Sequence, residues 1–125
     1  MAKRILVVDD EAPIREVLRA LLEEEGYEVE VAEDGKDGEG KAIVVKPDLV
    51  ILDLSMPRRG GLEVLKFIRG YGPTKDIPVI ILTGQGSLPK RIATTLAGAH
   101  AYIKKPFNNQ DIIERVGQLV TGSEA

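Results

Sequence analysis

The chain predicts an α/β domain: a five-stranded parallel sheet with helices packed on both faces. Two observations carry this. The apolar runs Ile5-Leu6-Val7-Val8, Leu49-Val50-Ile51-Leu52 and Val79-Ile80-Ile81-Leu82 show no polar alternation, as strands covered on both faces do. Between the strands lie segments whose apolar residues recur with the period of amphipathic helices. Strand and helix alternating along 125 residues imply parallel pairing through helical crossovers, within one domain long enough to hold its own core.

The elements follow in order. Ile5–Val8 runs into Asp9, Asp10 and Glu11. Ile14, Val17, Leu18, Leu21 and Leu22 then mark a helix, with Pro13 tolerated in its first turn and Gly26 placed to end it. Tyr27, Val29 and Val31 alternate with Glu28 and Glu30, the pattern of an edge strand. Asp34-Gly35 is a turn. Lys36 to Lys46 makes a poor helix: Gly38 and Gly40 each cost about 1 kcal/mol against Ala, and Ile43-Val44-Val45 is β-branched. A short, irregular or mobile helix is expected there. Pro47-Asp48 precedes the strand Leu49–Leu52, which ends in Asp53. After Gly60-Gly61, residues Leu62, Val64, Leu65, Phe67 and Ile68 form a third helix ending near Gly70, and Tyr71 to Pro78 is a loop. Val79–Leu82 ends in Thr83-Gly84. Ser87 is placed to cap a helix carrying Leu88, Ile92 and Leu96, stopped by Gly98. Ala101–Lys104 is the fifth strand, followed by Lys105-Pro106. Asn108 caps the last helix, with Asp111 at N3 and Phe107 and Ile112 as a hydrophobic staple. Ile112, Ile113, Val116, Leu119 and Val120 form its buried stripe, and Thr121 to Ala125 is polar.

Five such units favour the flavodoxin-like strand order 2-1-3-4-5, whose switch point lies between the first and third strands. Composition narrows the function classes. The net charge is -3, so there is no basic footprint for direct nucleic-acid binding. With no cysteine and a single His100, disulfides, thiol chemistry and His- or Cys-based metal sites are excluded. No apolar run approaches the roughly 20 residues of a membrane span, and no signal peptide precedes the first strand. A soluble, cytoplasmic domain is expected.

The switch point brings Asp9, Asp10 and Asp53 to one crevice. Three carboxylates repel one another unless a cation sits among them, and an oxygen-only site suits a hard ion such as Mg²⁺. Thr83 and Lys105 leave the fourth and fifth strands at the same edge. A hydroxyl, an ammonium and a divalent cation are what a phosphoryl group needs around its oxygens. The chemistry that fits is attack on phosphorus by the Asp53 carboxylate, giving an acyl phosphate. Asp9 and Asp10 then hold the metal, and Thr83 and Lys105 stabilise the phosphoryl oxygens. Singly, each residue has an ordinary explanation. Asp10 or Glu11 alone reads as a helix cap, Lys105 as a surface lysine, and Tyr102 as packing. Their joint placement at four strand ends carries the argument.

Asp9-Asp10, Asp53 within LDLSMP, Thr83-Gly84, and Tyr102 followed by Lys105-Pro106-Phe107 together resemble the CheY-like receiver domain of bacterial two-component response regulators. The likeness covers about residues 3 to 120. It implies a receiver over residues 1–121, a polar tail at 122–125 and no effector domain. It also implies a phosphorylation-dependent switch, not a stand-alone enzyme, that catalyses its own phosphotransfer and slow autodephosphorylation. Asp53 would take phosphate from a sensor histidine kinase, a phosphotransfer protein or a small phosphodonor. Mg²⁺ would be held by Asp9, Asp10, Asp53 and the backbone carbonyl of Ser55. Lys105 is the family's lysine because it directly precedes the proline. Thr83 would move toward the phosphoryl group and Tyr102 inward. That changes the surface of the fourth helix, fifth strand and fifth helix for a downstream target or fused output domain, and a weak homodimer could use the same surface. Ser55 and Gln85 would tune the lifetime of the phosphate. The chain departs from the family pattern at Arg58-Arg59-Gly60-Gly61 and at His100-Ala101, where an acidic pair is common.

Other classes fit less well. A haloacid-dehalogenase-type phosphatase needs a second acid two residues after the nucleophile, where Ser55 stands. A nucleotide- or flavin-binding module lacks both a G-x-G-x-x-G and a P-loop, and its phosphates would meet Asp9-Asp10-Glu11. A receiver-like interaction domain without phosphorylation would not need all five key residues.

Overall fold

The computed structural model describes residues 2–84 and 87–122. Its elements are β1 (Arg4–Val8), α1 (Ala12–Glu24), β2 (Glu28–Ala32), α2 (Gly35–Val45), β3 (Leu49–Leu52), α3 (Gly61–Gly70), β4 (Val79–Thr83), α4 (Leu88–Leu96), β5 (Ala101–Lys104) and α5 (Asn109–Gly122). The strands pair in the order β2-β1-β3-β4-β5, all in parallel, as the alternation of apolar runs and helices predicts.

The unalternating strands follow from the period of two along a strand. Ile5, Val7 and Ile51 face one way and pack with Leu18 and Leu22 of α1 and Ile112 and Val116 of α5. Leu6, Val8, Val50 and Leu52 face the other way and pack with Ala42 of α2 and Val64, Leu65 and Ile68 of α3. Both faces are covered, so neither tolerates polar residues. Each fully buried Leu or Ile contributes on the order of 1.5–3 kcal/mol. The edge strand β2 alternates because Val29 and Val31 face the cluster with α1 and α5, while Glu28 and Glu30 on the other face are exposed. Its outward carbonyls are still bonded: Arg19 of α1 reaches Val29 O and Lys41 of α2 reaches Val31 O.

Several expectations need correction. The helix expected to be short or irregular is an unbroken run, Gly35–Val45. Asp34, expected in a turn, is its N-cap and accepts from the Asp37 N–H at 2.8 Å. Gly38 costs helix propensity but permits close packing, since a Cβ there would lie 2.7 Å from Val8 Cγ1. Val17, one of the apolar residues that mark α1, is 46% exposed. It lies about 100° round the helix from Leu18, beyond the covered arc. The loop Tyr71–Pro78 contains a 3₁₀ turn, Gly72–Thr74, pinned by the buried Thr74 hydroxyl donating to Ile68 O at 2.7 Å.

On α4 the apolar face is turned outward. Leu88, Ile92 and Leu96 are 67%, 50% and 82% exposed, and the residue buried against the domain is Thr94. Its hydroxyl donates to Arg91 O at 3.0 Å within the same helix, so it needs no partner from the domain. Ser87 sits at the N-cap, but its side chain makes no capping bond. In α5, Asn108 Oδ1 accepts from Gln110 N at 2.7 Å and from Asp111 N at 3.4 Å. The helix continues through Thr121 to Gly122, where a polar tail was expected. The rest of that tail and Gln85 lie outside the described residues.

Candidate functional site

The register of the sheet decides which side chains meet. Val8 pairs with Leu52 across β1 and β3, so Asp9 and Asp53 leave the sheet side by side. Asp53 N–H donates to Val8 O at 3.0 Å. Both carboxylates are buried, at 2% and 4% exposure, while Asp10 and Glu11 are exposed. Leu52 also pairs with Ile81, and Thr83 pairs with Lys104. Thr83 therefore ends its strand one residue beyond the level of Asp53, fully buried, and its carbonyl accepts from Lys105 N–H at 2.9 Å. Gly84 follows with open space around it.

Lys105 closes the site. Its Nζ lies 2.8 Å from Asp9 Oδ2, 2.7 Å from Glu11 Oε2 and 3.3 Å from Asp53 Oδ2. Burial pulls this ammonium down, but its bonds to Asp9 and Glu11 and the charge of Asp53 outweigh that and hold it above the usual lysine range. Burial raises the Asp9 carboxyl, against the opposing hydrogen bonds from Lys105 and the Glu11 N–H. The neighbouring Lys104 is exposed, as the alternation along β5 requires.

Ligand oxygens of Asp9, Asp10, Glu11 and Asp53 lie within 4.8 Å of one another. Of these all-oxygen donors, Asp10, Glu11 and Asp53 border an open cleft of about 690 Å³, shared with Ser55, Gly84 and Lys105. Four carboxylates and one ammonium leave the cleft negative, and a hard divalent cation fits that donor set. Ser55 N–H donates to Asp53 Oδ1 at 3.4 Å, and the Ser55 side chain is exposed. Asp9, Asp10, Asp53, Ser55 and Lys105 thus meet around one cleft, with Thr83 buried at the end of the neighbouring β4.

Tyr102 stands apart from this group. It is half-buried on β5, with the Arg91 guanidinium 5.5 Å from its ring centre. Burial raises its phenol and Arg91 opposes the shift. Glu11 is the residue the sequence reading undervalued. It occupies the N-cap position of α1 without capping it, and its carboxylate turns to Lys105 instead. Its place in the acid run after β1 was the available signal. Arg15, which carries no motif signal, donates to the Asp9 backbone carbonyl at 2.7 Å and braces the turn.

A family model described as the response regulator receiver domain matches residues 5–117. The chain is 42% identical to the response regulator MprA of Mycobacterium tuberculosis strain H37Rv over 120 residues, 96% of this chain and 51% of that protein. It therefore spans about half the length of the curated relatives it matches. Among solved structures, it resembles a CheY-like response regulator receiver domain protein from Methanospirillum hungatei JF-1, with a TM-score of 0.93 and 35% identity, covering 99% of this chain and 98% of that one. It also resembles the receiver domain of a sensor histidine kinase from Pseudomonas aeruginosa PAO1, with a TM-score of 0.88 and 25% identity, over 96% and 98% of the two chains. That structure has a magnesium ion coordinated in its active-site cleft.

Proposed function

The chain belongs to the response regulator receiver domain family, and on that premise we propose that Asp53 is the phosphoacceptor of this two-component signalling switch. The Asp53 carboxylate attacks phosphorus in a sensor kinase's phosphohistidine, a phosphotransfer protein or a small phosphodonor. The Oδ–P bond forms as the bond to the donor breaks. No side chain is needed as general base, since a carboxylate is ionised at neutral pH. Asp9, Asp10, Asp53 and the Ser55 carbonyl would hold Mg²⁺, which would supply positive charge for the phosphoryl oxygens when bound. Lys105 and the Thr83 hydroxyl provide the remaining donors. Later hydrolysis of the acyl phosphate resets the switch. The observation that carries this reading is the convergence of Lys105 Nζ on Asp53 and Asp9 at 3.3 Å and 2.8 Å from strands far apart in sequence.

Output passes through the surface of α4, β5 and α5. Thr83 shifts toward the phosphoryl group and Tyr102 leaves Arg91 for the space this opens, a two-state rearrangement biased by new charge-assisted hydrogen bonds. Leu88, Ile92 and Leu96 supply apolar contact there for a target, an output domain or a weakly bound second copy. The receiver occupies residues 1–121 and works in the cytoplasm. Among the described residues no helix is long and apolar enough to cross a membrane.

Incubation with Mg²⁺ and acetyl phosphate, followed by intact mass measurement, tests the assignment. A gain of one phosphoryl group, abolished by Asp53→Ala, is expected. No adduct at any Mg²⁺ concentration would overturn it.

A further inference from the structure

The Arg58-Arg59 turn, where the chain leaves the family pattern, is tied to α2 by three separate contacts. Arg58 has a left-handed backbone, φ 69, a conformation that costs a non-glycine residue about 1 kcal/mol or more and persists only where its surroundings impose it. Its guanidinium lies 3.5 Å from the buried carboxylate of Asp34, the N-cap of α2. Arg59 bonds Glu39 of α2 through Nε. The Arg59 backbone presses on Gly35 so closely that a Cβ there would lie 2.0 Å from Arg59 O. On its other side the loop is fixed to the end of β3. A Cβ on Gly61 would lie 2.1 Å from Asp53 O, and Gly61 N–H donates to Leu54 O at 3.0 Å. Ser55 lies between these two anchorages.

We propose that Arg58 and Arg59 are positioning residues for the metal site: an ion-pair clasp to Asp34 and Glu39 that sets the Ser55 carbonyl relative to Asp53. This rests on the reading that Asp9, Asp10, Asp53 and Ser55 hold Mg²⁺. A carboxylate can swing about its side-chain torsions to meet an ion, whereas a backbone carbonyl goes only where its loop puts it. Mg²⁺ tolerates little departure from octahedral geometry, so a small displacement of this loop weakens the site. The clasp also makes α2, remote from the surface of α4, a route by which a partner could alter metal affinity.

The sign of the effect separates positioning from simple charge. Removing a cation near a metal site tightens Mg²⁺ by electrostatics alone, whereas losing a clasp weakens it. Calorimetric titration of the 125-residue chain with MgCl₂ at fixed ionic strength tests this, with thermal melts in EDTA run in parallel. Arg59→Met should weaken Mg²⁺ binding about tenfold, as loss of outer supports of metal ligands does. Arg59→Lys should recover most of it. Gly35→Ala keeps every charge but displaces the Arg59 backbone, and it should weaken Mg²⁺ as well. Unchanged or tighter Mg²⁺ in Arg59→Met and Gly35→Ala overturns the clasp. A wild-type chain that does not bind Mg²⁺ overturns instead the metal reading beneath it.

Discussion

Replacing Lys105 with Met removes the only cation among the described residues within bonding distance of both Asp9 and Asp53, while keeping a side chain of similar length. Ligand oxygens of these two carboxylates lie within 4.8 Å, a repulsion of about 3.5 kcal/mol at an effective dielectric of about 20. In the native chain Lys105 offsets it from 2.8 Å and 3.3 Å, each attraction being about 5–6 kcal/mol on the same scale. Breaking a buried pair typically costs about 3–5 kcal/mol, and the open side of the cleft sets this case at the lower end. Lys105→Met in EDTA should therefore lose about 3 kcal/mol, a drop of roughly 10 °C in Tm for a domain of this size. Mg²⁺ should restore more stability to Lys105→Met than to the native protein, because the ion replaces the missing charge. The assay is thermal unfolding by circular dichroism with and without MgCl₂, and Lys104→Met, which alters an exposed residue, is the control. Equal Tm for Lys105→Met and the native chain in EDTA would refute the electrostatic account of the cleft.

Two further predictions concern the scaffold. Gly38→Ala and Gly40→Ala should change stability in opposite directions, although both gain about 1 kcal/mol of helix propensity. At Gly38 the new Cβ would sit 2.7 Å from Val8 Cγ1, and overpacking of about 1–3 kcal/mol wins. At Gly40 nothing lies within 4 Å. Urea midpoints moving the same way for both would contradict this packing. His100 Nδ1 faces two donors, Arg69 Nη2 at 3.0 Å and Val79 N–H at 3.3 Å, so the folded state holds the ring neutral. Burial, then the Arg69 charge, lower its pKa below the usual value. Below about pH 6.5 the unfolded chain then binds more protons than the folded one, so His100 favours folding above that pH and the benefit is lost as pH falls through the folded value. His100→Asn keeps an acceptor that does not titrate. Its stability should fall less than the native chain's between about pH 7.5 and 5, and equal slopes would refute the assignment.

The fold was legible because burial on two faces leaves a sequence mark that few other arrangements leave. Ile5–Val8, Leu49–Leu52 and Val79–Leu82 could be unalternating only if helices covered both sides. The meeting of Asp9, Asp10, Asp53 and Lys105 was legible for a related reason. In a parallel sheet every strand ends at the same edge, so residues after the apolar runs share a crevice wherever they fall in the chain. The period of two also separates Lys105 from Lys104 once either is set against the cleft.

Tertiary structure alone decided what depends on a neighbour's shape or charge. Leu88, Ile92 and Leu96 share a helical face by their spacing, but spacing does not say whether that face is covered, and here it looks to solvent. Gly38 weakens a helix in isolation, yet it lets α2 approach Val8. Glu11 reads as a cap until Lys105, distant in sequence, comes within 2.7 Å. Arg58 and Arg59 read as an irregular turn until Asp34, Glu39 and Gly35 lie against them. Periodicity records how each segment meets its own environment on average. It does not record which side chain stands opposite, and that is where the clasp, the ion pairs and the outward face of α4 arise.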